Sequence, residues 1–304
     1  MVEDEERMRR YAYLGICIAV VAVSFSAILI RWSEADFLAI AAGRMIISAL
    51  ILAPFALLMY RTELLGLSRK DALLMVGIGA VLATHFSLWI ASLEHTSVAS
   101  SVLLVTSHPL LVGVVGHFFL GERLSRLNVL GITIGLFGLV ILTRGDAASG
   151  SDTLYGDILA FLGGVAAGVY ILAGRSTRKR ISLVVYAFVV YSSCAIFLLI
   201  AVIMTSTELF TLPSDQWALF LLMAIGPSIL GHTMYNWTLR YVPASVVSVS
   251  LLGEPVGSTA LAFLLLSESP PETAVIGGVI ILFGIILASW GVGSRQAEMT
   301  AAVT

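Results

Sequence analysis

The sequence predicts an all-α membrane protein with ten transmembrane helices in two inverted repeats of five. Composition, the distribution of positive charge and an internal repeat lead to this prediction. Of the 304 residues, 59% are hydrophobic and only 12% are charged, and the mean hydropathy is +1.00. Apolar stretches recur along the whole chain, each long enough to cross a hydrocarbon core of about 30 Å, as is typical of membrane proteins. A net charge of -2 without basic tracts argues against nucleic acid as a partner.

The apolar stretches divide the chain into ten predicted spans with short connections. The first follows the acidic residues 3–6, EDEE, without a small-residue cleavage site, which predicts a retained helix and not a signal peptide. The predicted spans are 12–31, 37–59, 72–92, 97–120, 126–143, 155–174, 183–205, 216–239, 244–266 and 272–292.

Positive charge predicts how these spans are oriented. If the N-terminus is cytoplasmic, cytoplasmic segments hold all but three of the 17 Lys and Arg residues, the exceptions being Arg31, Arg44 and Arg144. Because positive residues favour cytoplasmic segments, both termini are expected in the cytoplasm of a cell with this chain in its cytoplasmic or inner membrane.

An internal repeat relates the two halves of the chain. Residues 93–145 align without a gap on residues 239–291, with a linker at 144–153 between the halves. Because five spans is an odd number, the second half (148–304) enters the membrane from the side opposite to the first (1–147), as in many secondary transporters. The matches beyond aliphatic residues are Pro109 with Pro255, Glu122 with Glu268, Gly131 with Gly277, Phe137 and Gly138 with Phe283 and Gly284, and Gly145 with Gly291.

The repeated segments resemble a known superfamily over essentially the whole chain. They read HPLLVGVVGHFFLGERLSRLNVLGITIGLFGLVIL in the first half and EPVGSTALAFLLLSESPPETAVIGGVIILFGIIL in the second. A Pro in the fourth helix of each half, a Glu at its end and a following Gly-rich helix resemble the drug/metabolite transporter superfamily and its EamA-type branch. The second half departs from the usual pattern where Ser267 replaces the Gly before Glu268. The resemblance implies a ten-helix carrier with a central cavity and no bound cofactor. It often implies an exporter of amino acids or other small metabolites, although the superfamily also carries sugar phosphates, nucleotide sugars, vitamins and drugs.

Glu254 is the acidic residue expected deepest in the membrane, where a charge costs about 2.5 to 3.5 kcal/mol. Gly253, Pro255 and Gly257 should break its helix and free backbone groups for substrate binding. Ser250, Glu254 and Ser258 follow at i, i+4 and i+8, which predicts a polar stripe on a cavity wall.

The repeat pairs Glu254 with His108, which also precedes a proline. Either group could take up and release a proton as access alternates, because His titrates near neutral pH and a buried Glu can be driven to do so. The alternative is that Glu254 is permanently protonated or paired and joins two helices.

Arg44 is the second ionisable residue expected within a span. Its guanidinium could clamp an anionic substrate group through two hydrogen bonds. An internal ion pair, or extension of the side chain to the membrane surface, is the alternative.

Aromatic and polar side chains complete the candidate binding site. His85 and Trp89 share a face of the third span, although the position of Trp89 also suits an interfacial aromatic belt. The other candidates are His232, Tyr235 and Asn236 in the eighth span and Tyr170 in the sixth.

Other features favour structural roles. Glu122 and Glu268 lie where a carboxylate can cap a helix N-terminus, and Trp32 and Trp217 suit the belt. Gly77, Gly79 and the repeated glycines should let helix backbones approach each other. Cys17 and Cys194 give no disulfide or metal pattern.

The sequence therefore predicts a secondary carrier of small, amphiphilic metabolites such as amino acids, most simply an exporter. A proton-coupled multidrug or organic-cation exporter and an uptake carrier are the alternatives. No nucleophile and base arrangement, HExxH motif or pair of mid-span carboxylates favours an enzyme, and no P-loop favours ATP as the energy source. A small-molecule substrate, membrane lipid and protons are the expected partners of a monomer or weak dimer.

Overall fold

The computed structural model describes residues 2–110, 125–178, 180–238, 241 and 250–301, and its regular elements in these ranges are helices. Two further segments, Phe55–Met59 and Ala224–Thr233, are wound as wider π-helices. The α-helices are α1 (Val2–Ser24), α2 (Ser26–Trp32), α3 (Phe37–Pro54), α4 (Arg61–Leu65), α5 (Arg69–His95), α6 (Val98–Val105), α7 (Arg126–Ser149), α8 (Ser151–Thr177), α9 (Leu183–Thr205), α10 (Ser214–Met223), α11 (Met234–Thr238), α12 (Gly253–Leu266) and α13 (Glu272–Ala301).

The helical membrane architecture predicted from the sequence is confirmed. Six helices in the described ranges are long and apolar enough to cross a membrane, and three shorter apolar helices accompany them. The predicted fourth and ninth spans extend into the ranges 111–124 and 242–249, outside the described residues. The count of ten spans therefore stays a prediction.

Side-chain caps set the start of several long helices close to the predicted boundaries. Asp36 accepts a hydrogen bond from the Leu38 amide at 2.8 Å, and Ser68 accepts one from the Asp71 amide at 3.1 Å. Ser125 and Asn128 form a reciprocal capping box at the start of α7. These contacts satisfy amides that have no partner within their own helix, so polar residues between apolar runs determine where the helices begin.

Two helix breaks occur at positions that the repeat makes equivalent. Helix α6 ends at Val105, residues 106–107 form a turn, and helical structure resumes at His108. In the second half, residues 251–252 form a turn and α12 begins at Gly253, one residue before Glu254. The predicted break near Glu254 is confirmed, and Glu254 therefore lies in the first turn of a helix.

Helices α7 and α13 pack closely through the glycines that the repeat matches. A Cβ atom added to Gly138 would lie 2.8 Å from the carbonyl oxygen of Gly277, and one added to Gly131 would lie 2.5 Å from that of Gly284. Because the repeat matches Gly131 with Gly277 and Gly138 with Gly284, exchanging the halves turns one of these glycine pairs into the other. This is expected for a two-fold relation between repeats. Gly79 also packs closely, with Ser193 and Val190, whereas Gly77 has no atom within 4 Å of an added Cβ. The expected role of Gly77 in helix packing was wrong, because that face of α5 meets no neighbour in the part of the chain that the structure describes.

Antiparallel packing of α5 and α8 defines two ends of the molecule. At one end, His95 Nδ1 lies 2.8 Å from Asp152 Oδ1, next to Thr96. At the other end, Arg180 donates to Asp71 at 2.9 Å, close to Arg178 after the last turn of α8. These are called the Thr96 end and the Arg178 end below.

Candidate functional site

A cavity of about 280 Å³ lies between the helices and reaches the Arg178 end. Its volume is at the lower limit of small-molecule pockets, which run from about 300 to 1,000 Å³. Along α8 the lining extends from Ala167 to Arg178, about 16 Å at 1.5 Å per residue. Of the predicted site residues, seven line this cavity: His85, Trp89, His108, Tyr170, His232, Tyr235 and Glu254.

Glu254 presents its carboxylate to the cavity. The side chain is 7% exposed, and its helix position is fixed by a hydrogen bond from its amide to the Leu251 carbonyl at 3.1 Å. Within the described part of the chain, no hydrogen bond or ion pair shorter than 4 Å holds the carboxylate. The predicted alternative of a permanent pairing between helices therefore has no partner group among the described residues, whereas permanent protonation of Glu254 stays an open alternative.

Two of the three histidines in the cavity have the same arrangement. His85 Nδ1 lies 2.9 Å from the Gly163 carbonyl oxygen, and His108 Nδ1 lies 3.1 Å from that of Val105. A carbonyl oxygen only accepts, so the Nδ1 atoms donate and each neutral ring keeps Nε2 as an acceptor. His232 lies within electrostatic reach of both other rings. The cavity thus contains several imidazoles that can accept hydrogen bonds from a ligand.

Arg44 does not line the cavity, which contradicts its predicted direct role in clamping a substrate. The residue is 0% exposed; its Nε donates to Ser228 Oγ at 2.8 Å and its Nη1 to Ser26 Oγ at 3.2 Å. Its Cζ atom lies 4.5 Å from the centre of the Phe86 ring. Complete burial also excludes the predicted extension to the surface, and no described acidic group lies within ion-pair distance. Arg44 is therefore a buried cation behind a wall formed by Ser228 and Phe86.

Trp89 belongs to the cavity and not to an interfacial belt. It is 3% exposed, and its ring stacks on His85 with the centroids 6.0 Å apart and the planes at 11°. Trp32 is 47% exposed, which suits the belt predicted for it. Position near a span end was a poor guide for Trp89 because α5 extends beyond the predicted span to His95.

The predicted polar stripe of Ser250, Glu254 and Ser258 is wrong as a cavity wall. Ser258 is 1% exposed and donates to the Ser24 carbonyl at 3.0 Å, so it joins α12 to the end of α1. Ser250 is outside the lining and interacts with the Tyr235 hydroxyl. The stripe assumed an unbroken helix, whereas residues 251–252, between Ser250 and Glu254, form a turn. The side chain of Asn236 lies outside the described part of the structure.

The loop glutamates were predicted to cap helices, and Glu268 does so. Its Oε1 accepts a hydrogen bond from the Val98 amide at 2.6 Å, at the start of α6. Its Oε2 lies 3.5 Å from Arg31 Nη2, and the same Nη2 donates to the Thr96 carbonyl at 2.9 Å. Glu122, the partner of Glu268 in the repeat, lies outside the described residues.

Several cavity residues were missed from the sequence. Arg178 was counted only as a cytoplasmic loop charge, although it lines the Arg178 end of the cavity. Tyr186 and Tyr191 line the wall from α9, an apolar span without a charged residue to draw attention to them. Ser228 and Phe86 complete the wall in front of Arg44. Together these side chains give the cavity one carboxylate, one guanidinium and an aromatic lining among the described residues.

Comparison with known proteins places the chain in a family. The model of the EamA-like transporter family matches residues 10–144 and again 154–290. The chain belongs to the EamA-like transporter family. It is accordingly a multi-pass membrane transporter and not an enzyme.

Curated relatives of this EamA-like transporter are mostly transporters without an assigned substrate. YyaM of Bacillus subtilis (strain 168), an "Uncharacterized transporter", is 27% identical over 73% of the chain and 74% of its own length. An "Uncharacterized transporter" of Archaeoglobus fulgidus is 23% identical over 93% of the chain and 97% of its own length. A "Probable terminal-alkyne amino-acid exporter" of Streptantibioticus cattleyicolor is 22% identical over 67% of the chain and 68% of its own length.

A solved crystal structure supports the fold of the EamA-like transporter. It superposes with a TM-score of 0.63 and covers 92% of this chain and 97% of its own, at 21% identity. At that identity the likeness concerns the fold alone.

Proposed function

We propose that this protein is a secondary carrier that exports small amphiphilic metabolites, with amino acids as the first class to test. The observation that carries the proposal is a cavity with a free carboxylate on Glu254, a guanidinium on Arg178 and aromatic walls between helices. Opposite charges in the lining of one cavity suit a zwitterion, and aromatic surfaces suit its apolar part. The name of the Streptantibioticus relative, an amino-acid exporter, is consistent with an amino-acid cargo.

The proposed mechanism is alternating access between two inverted halves, 1–147 and 148–304. Cytoplasmic termini would place Arg178 on the cytoplasmic side, so the cavity would face the cytoplasm in this conformation. Helix breaks at His108 and Glu254 lie at equivalent positions of the two halves and adjoin the cavity. Rocking of the halves about these breaks would present the same side chains to either side of the membrane.

Proton coupling through Glu254 and His108 is part of the proposal. Both side chains line the cavity. Neither the Glu254 carboxylate nor Nε2 of His108 makes a described hydrogen bond. Transfer of a proton to or from the carboxylate would therefore change the charge that a bound metabolite meets.

The test is release of labelled compounds from proteoliposomes that contain the purified protein. Amino acids, organic cations and nucleosides are compared, with and without an imposed pH gradient. Saturable release of amino acids, accelerated by the gradient and abolished in Glu254→Gln, is the expected result. The exposed Glu34→Gln variant is the matched control and should transport like the wild type.

An organic-cation exporter is the second candidate, because an unpaired carboxylate among aromatic rings also suits a cation. Release of organic cations but not amino acids would select it. Counterflow, in which unlabelled cargo on one side accelerates labelled cargo from the other, separates a carrier from a channel. Release that is fast, unsaturable and without counterflow would contradict both candidates.

A further inference from the structure

Two buried aspartates form an acidic pair outside the cavity. Asp146 lies near the end of α7, and Asp157 lies near the start of the next helix, α8. Each is 1% exposed. Their side chains interact with each other, and Thr96 Oγ1 donates to Asp157 Oδ1 at 2.9 Å. The pair therefore lies at the Thr96 end, away from the cavity opening.

Each carboxyl group retains a buried oxygen without a partner. The Oδ2 atoms of Asp146 and Asp157 accept no hydrogen bond in the described part of the structure. Two buried carboxylates in contact repel each other strongly if both are ionised. One shared proton removes that repulsion and turns one unsatisfied acceptor into a donor for the other.

The charged groups around the pair are engaged with one another. His95 binds Asp152, and Arg31 binds Glu268 and the Thr96 carbonyl. None of them forms a described ion pair with Asp146 or Asp157, and α6 has no charged residue near the pair. The titratable and charged groups on the surrounding elements are Arg31 on α2, His95 on α5, Arg144 on α7, Asp152 on α8, Glu268 after α12 and Glu272 on α13.

Tight backbone packing surrounds the pair. A Cβ atom added to Gly156 would lie 2.8 Å from the Thr96 amide nitrogen, so α8 meets the corner between α5 and α6 without a gap. A Cβ atom added to Gly145, next to Asp146, would meet the side chain of Thr273 on α13. Any opening of the Thr96 end that separates these helices would expose the pair to water.

We propose that Asp146 and Asp157 are a proton-binding site that holds one shared proton while the Thr96 end is closed and releases it when that end opens. The proton leaves to water from the shared position between the two carboxyl groups, and two separately hydrated carboxylates remain. The inference rests on the proposed function in one respect, since it assumes that the Thr96 end opens during transport.

The sign of the pH dependence follows from proton binding. The closed state holds one proton more than the open state, so a rise in pH favours opening. A difference of one proton changes the equilibrium by up to about tenfold per pH unit. Replacing both aspartates by asparagine should remove this dependence, because an amide does not titrate.

The first experiment detects the proton by infrared spectroscopy of the purified protein at neutral pH. It is done in Glu254→Gln protein, so that the cavity carboxyl group does not contribute. A carbonyl band of a protonated carboxylic acid is expected, and it should be lost when Asp146→Asn and Asp157→Asn are added. Asp152→Asn, at an exposed carboxylate of the same end, should leave the band unchanged. Absence of the band, or its persistence in the double-asparagine protein, would overturn the proposal.

The second experiment measures opening of the Thr96 end. Ser101 on α6 is fully buried, and its Oγ lies 2.7 Å from that of Ser92, four residues before Thr96 on α5. Ser101→Cys is introduced in Cys17→Ser protein, and a membrane-impermeant maleimide is added from the side of the Thr96 end. Labelling should increase more steeply with pH in the protein that retains both aspartates than in the protein with both asparagines. The second protein corrects for the rise of thiol reactivity with pH.

The two outcomes distinguish this inference from the proposed function. Steeper labelling with the pair but no release of any tested metabolite would contradict the proposed cargo and support the proton site. Equal pH dependence in both proteins, with transport intact, would overturn the proton site and leave the carrier. If the double variant does not fold, the single variants Asp146→Asn and Asp157→Asn are compared with the wild type, and an unchanged pH dependence in both would overturn a proton shared by the pair.

Discussion

The Oγ atom of Ser228, a residue that lines the cavity, accepts a hydrogen bond from Nε of Arg44 at 2.8 Å. Ser228 lies on the π-helical segment Ala224–Thr233, as does His232. Segments of π-helix often occur at functional sites. A buried guanidinium thus fixes the orientation of a cavity wall without contacting the cavity.

Ser228→Ala should destabilise the protein by about 1 to 3 kcal/mol, because it leaves the Nε–H of a buried cation without an acceptor. Ser48→Ala is the matched control. Ser48 is equally buried but only donates to the Arg44 carbonyl within its own helix, so its loss should cost less than about 1 kcal/mol. Thermal unfolding in detergent measures both. Equal losses of stability would contradict an anchoring role for Ser228.

Arg44→Lys should impair transport although it keeps the charge. An ammonium group cannot donate to Ser228 and Ser26 while stacking on Phe86 as the planar guanidinium does. We expect the apparent KM for cargo to rise about tenfold as the wall loosens, measured by release from proteoliposomes. A wild-type KM together with wild-type thermal stability would show that any buried cation suffices at this position.

Gly138→Ala should destabilise the contact between α7 and α13 by about 1 to 3 kcal/mol. The added methyl group would meet backbone atoms, the Gly277 carbonyl oxygen at 2.8 Å and the Ile281 nitrogen at 2.9 Å, which cannot rotate away. Gly77→Ala makes the same chemical change where nothing lies within 4 Å and should be neutral or stabilising by up to about 1 kcal/mol. The difference in unfolding temperature between the two variants checks the prediction, and similar values would contradict close packing of these helices.

The fold was predictable because hydrophobic length and helix-breaking residues are local signals. Caps such as Ser68 and Asp36 lie where apolar runs begin, and the glycines of α7 and α13 recur in register. The repeat predicted that His108 and Glu254 would be equivalent, and both follow a helix break in the structure. Gly77 shows the limit, since the sequence does not say which face of a helix meets a neighbour.

The candidate site was only partly predictable, because depth in a membrane is not the same as access to a cavity. Arg44 and Glu254 looked alike as ionisable residues within spans, yet Arg44 is enclosed by Ser228, Ser26 and Phe86. Arg178 was overlooked for the opposite reason, since a basic residue near a span end fits a solvated loop. These assignments depend on contacts between distant segments, which local patterns do not specify.

Glu268→Ala should destabilise the Thr96 end by about 0.5 to 2 kcal/mol, the usual cost of losing a helix cap. Its carboxylate accepts from the Val98 amide at 2.6 Å at the start of α6. Glu268→Gln keeps an oxygen acceptor and should retain most of this stability, whereas the exposed Glu272→Ala should change little. Thermal unfolding separates the three variants. A loss in Glu268→Gln as large as in Glu268→Ala would assign the effect to the pairing with Arg31 instead.

His85→Asn and His85→Gln should separate the roles of the two imidazole nitrogens, Nδ1 beside the Gly163 carbonyl and Nε2, which makes no described hydrogen bond. The amide nitrogen of Asn can replace Nδ1 and keep the hydrogen bond to the Gly163 carbonyl, so stability should remain close to that of the wild type. It does not reach the position of Nε2, and the apparent KM should rise if cargo donates to that atom. Gln reaches further into the cavity but loses the bond to Gly163, at a cost of about 0.5 to 1.5 kcal/mol. Thermal unfolding and transport kinetics are measured on both variants. A normal KM in His85→Asn would show that His85 acts only as a helix contact and that ligand recognition depends on His108, His232 and Glu254.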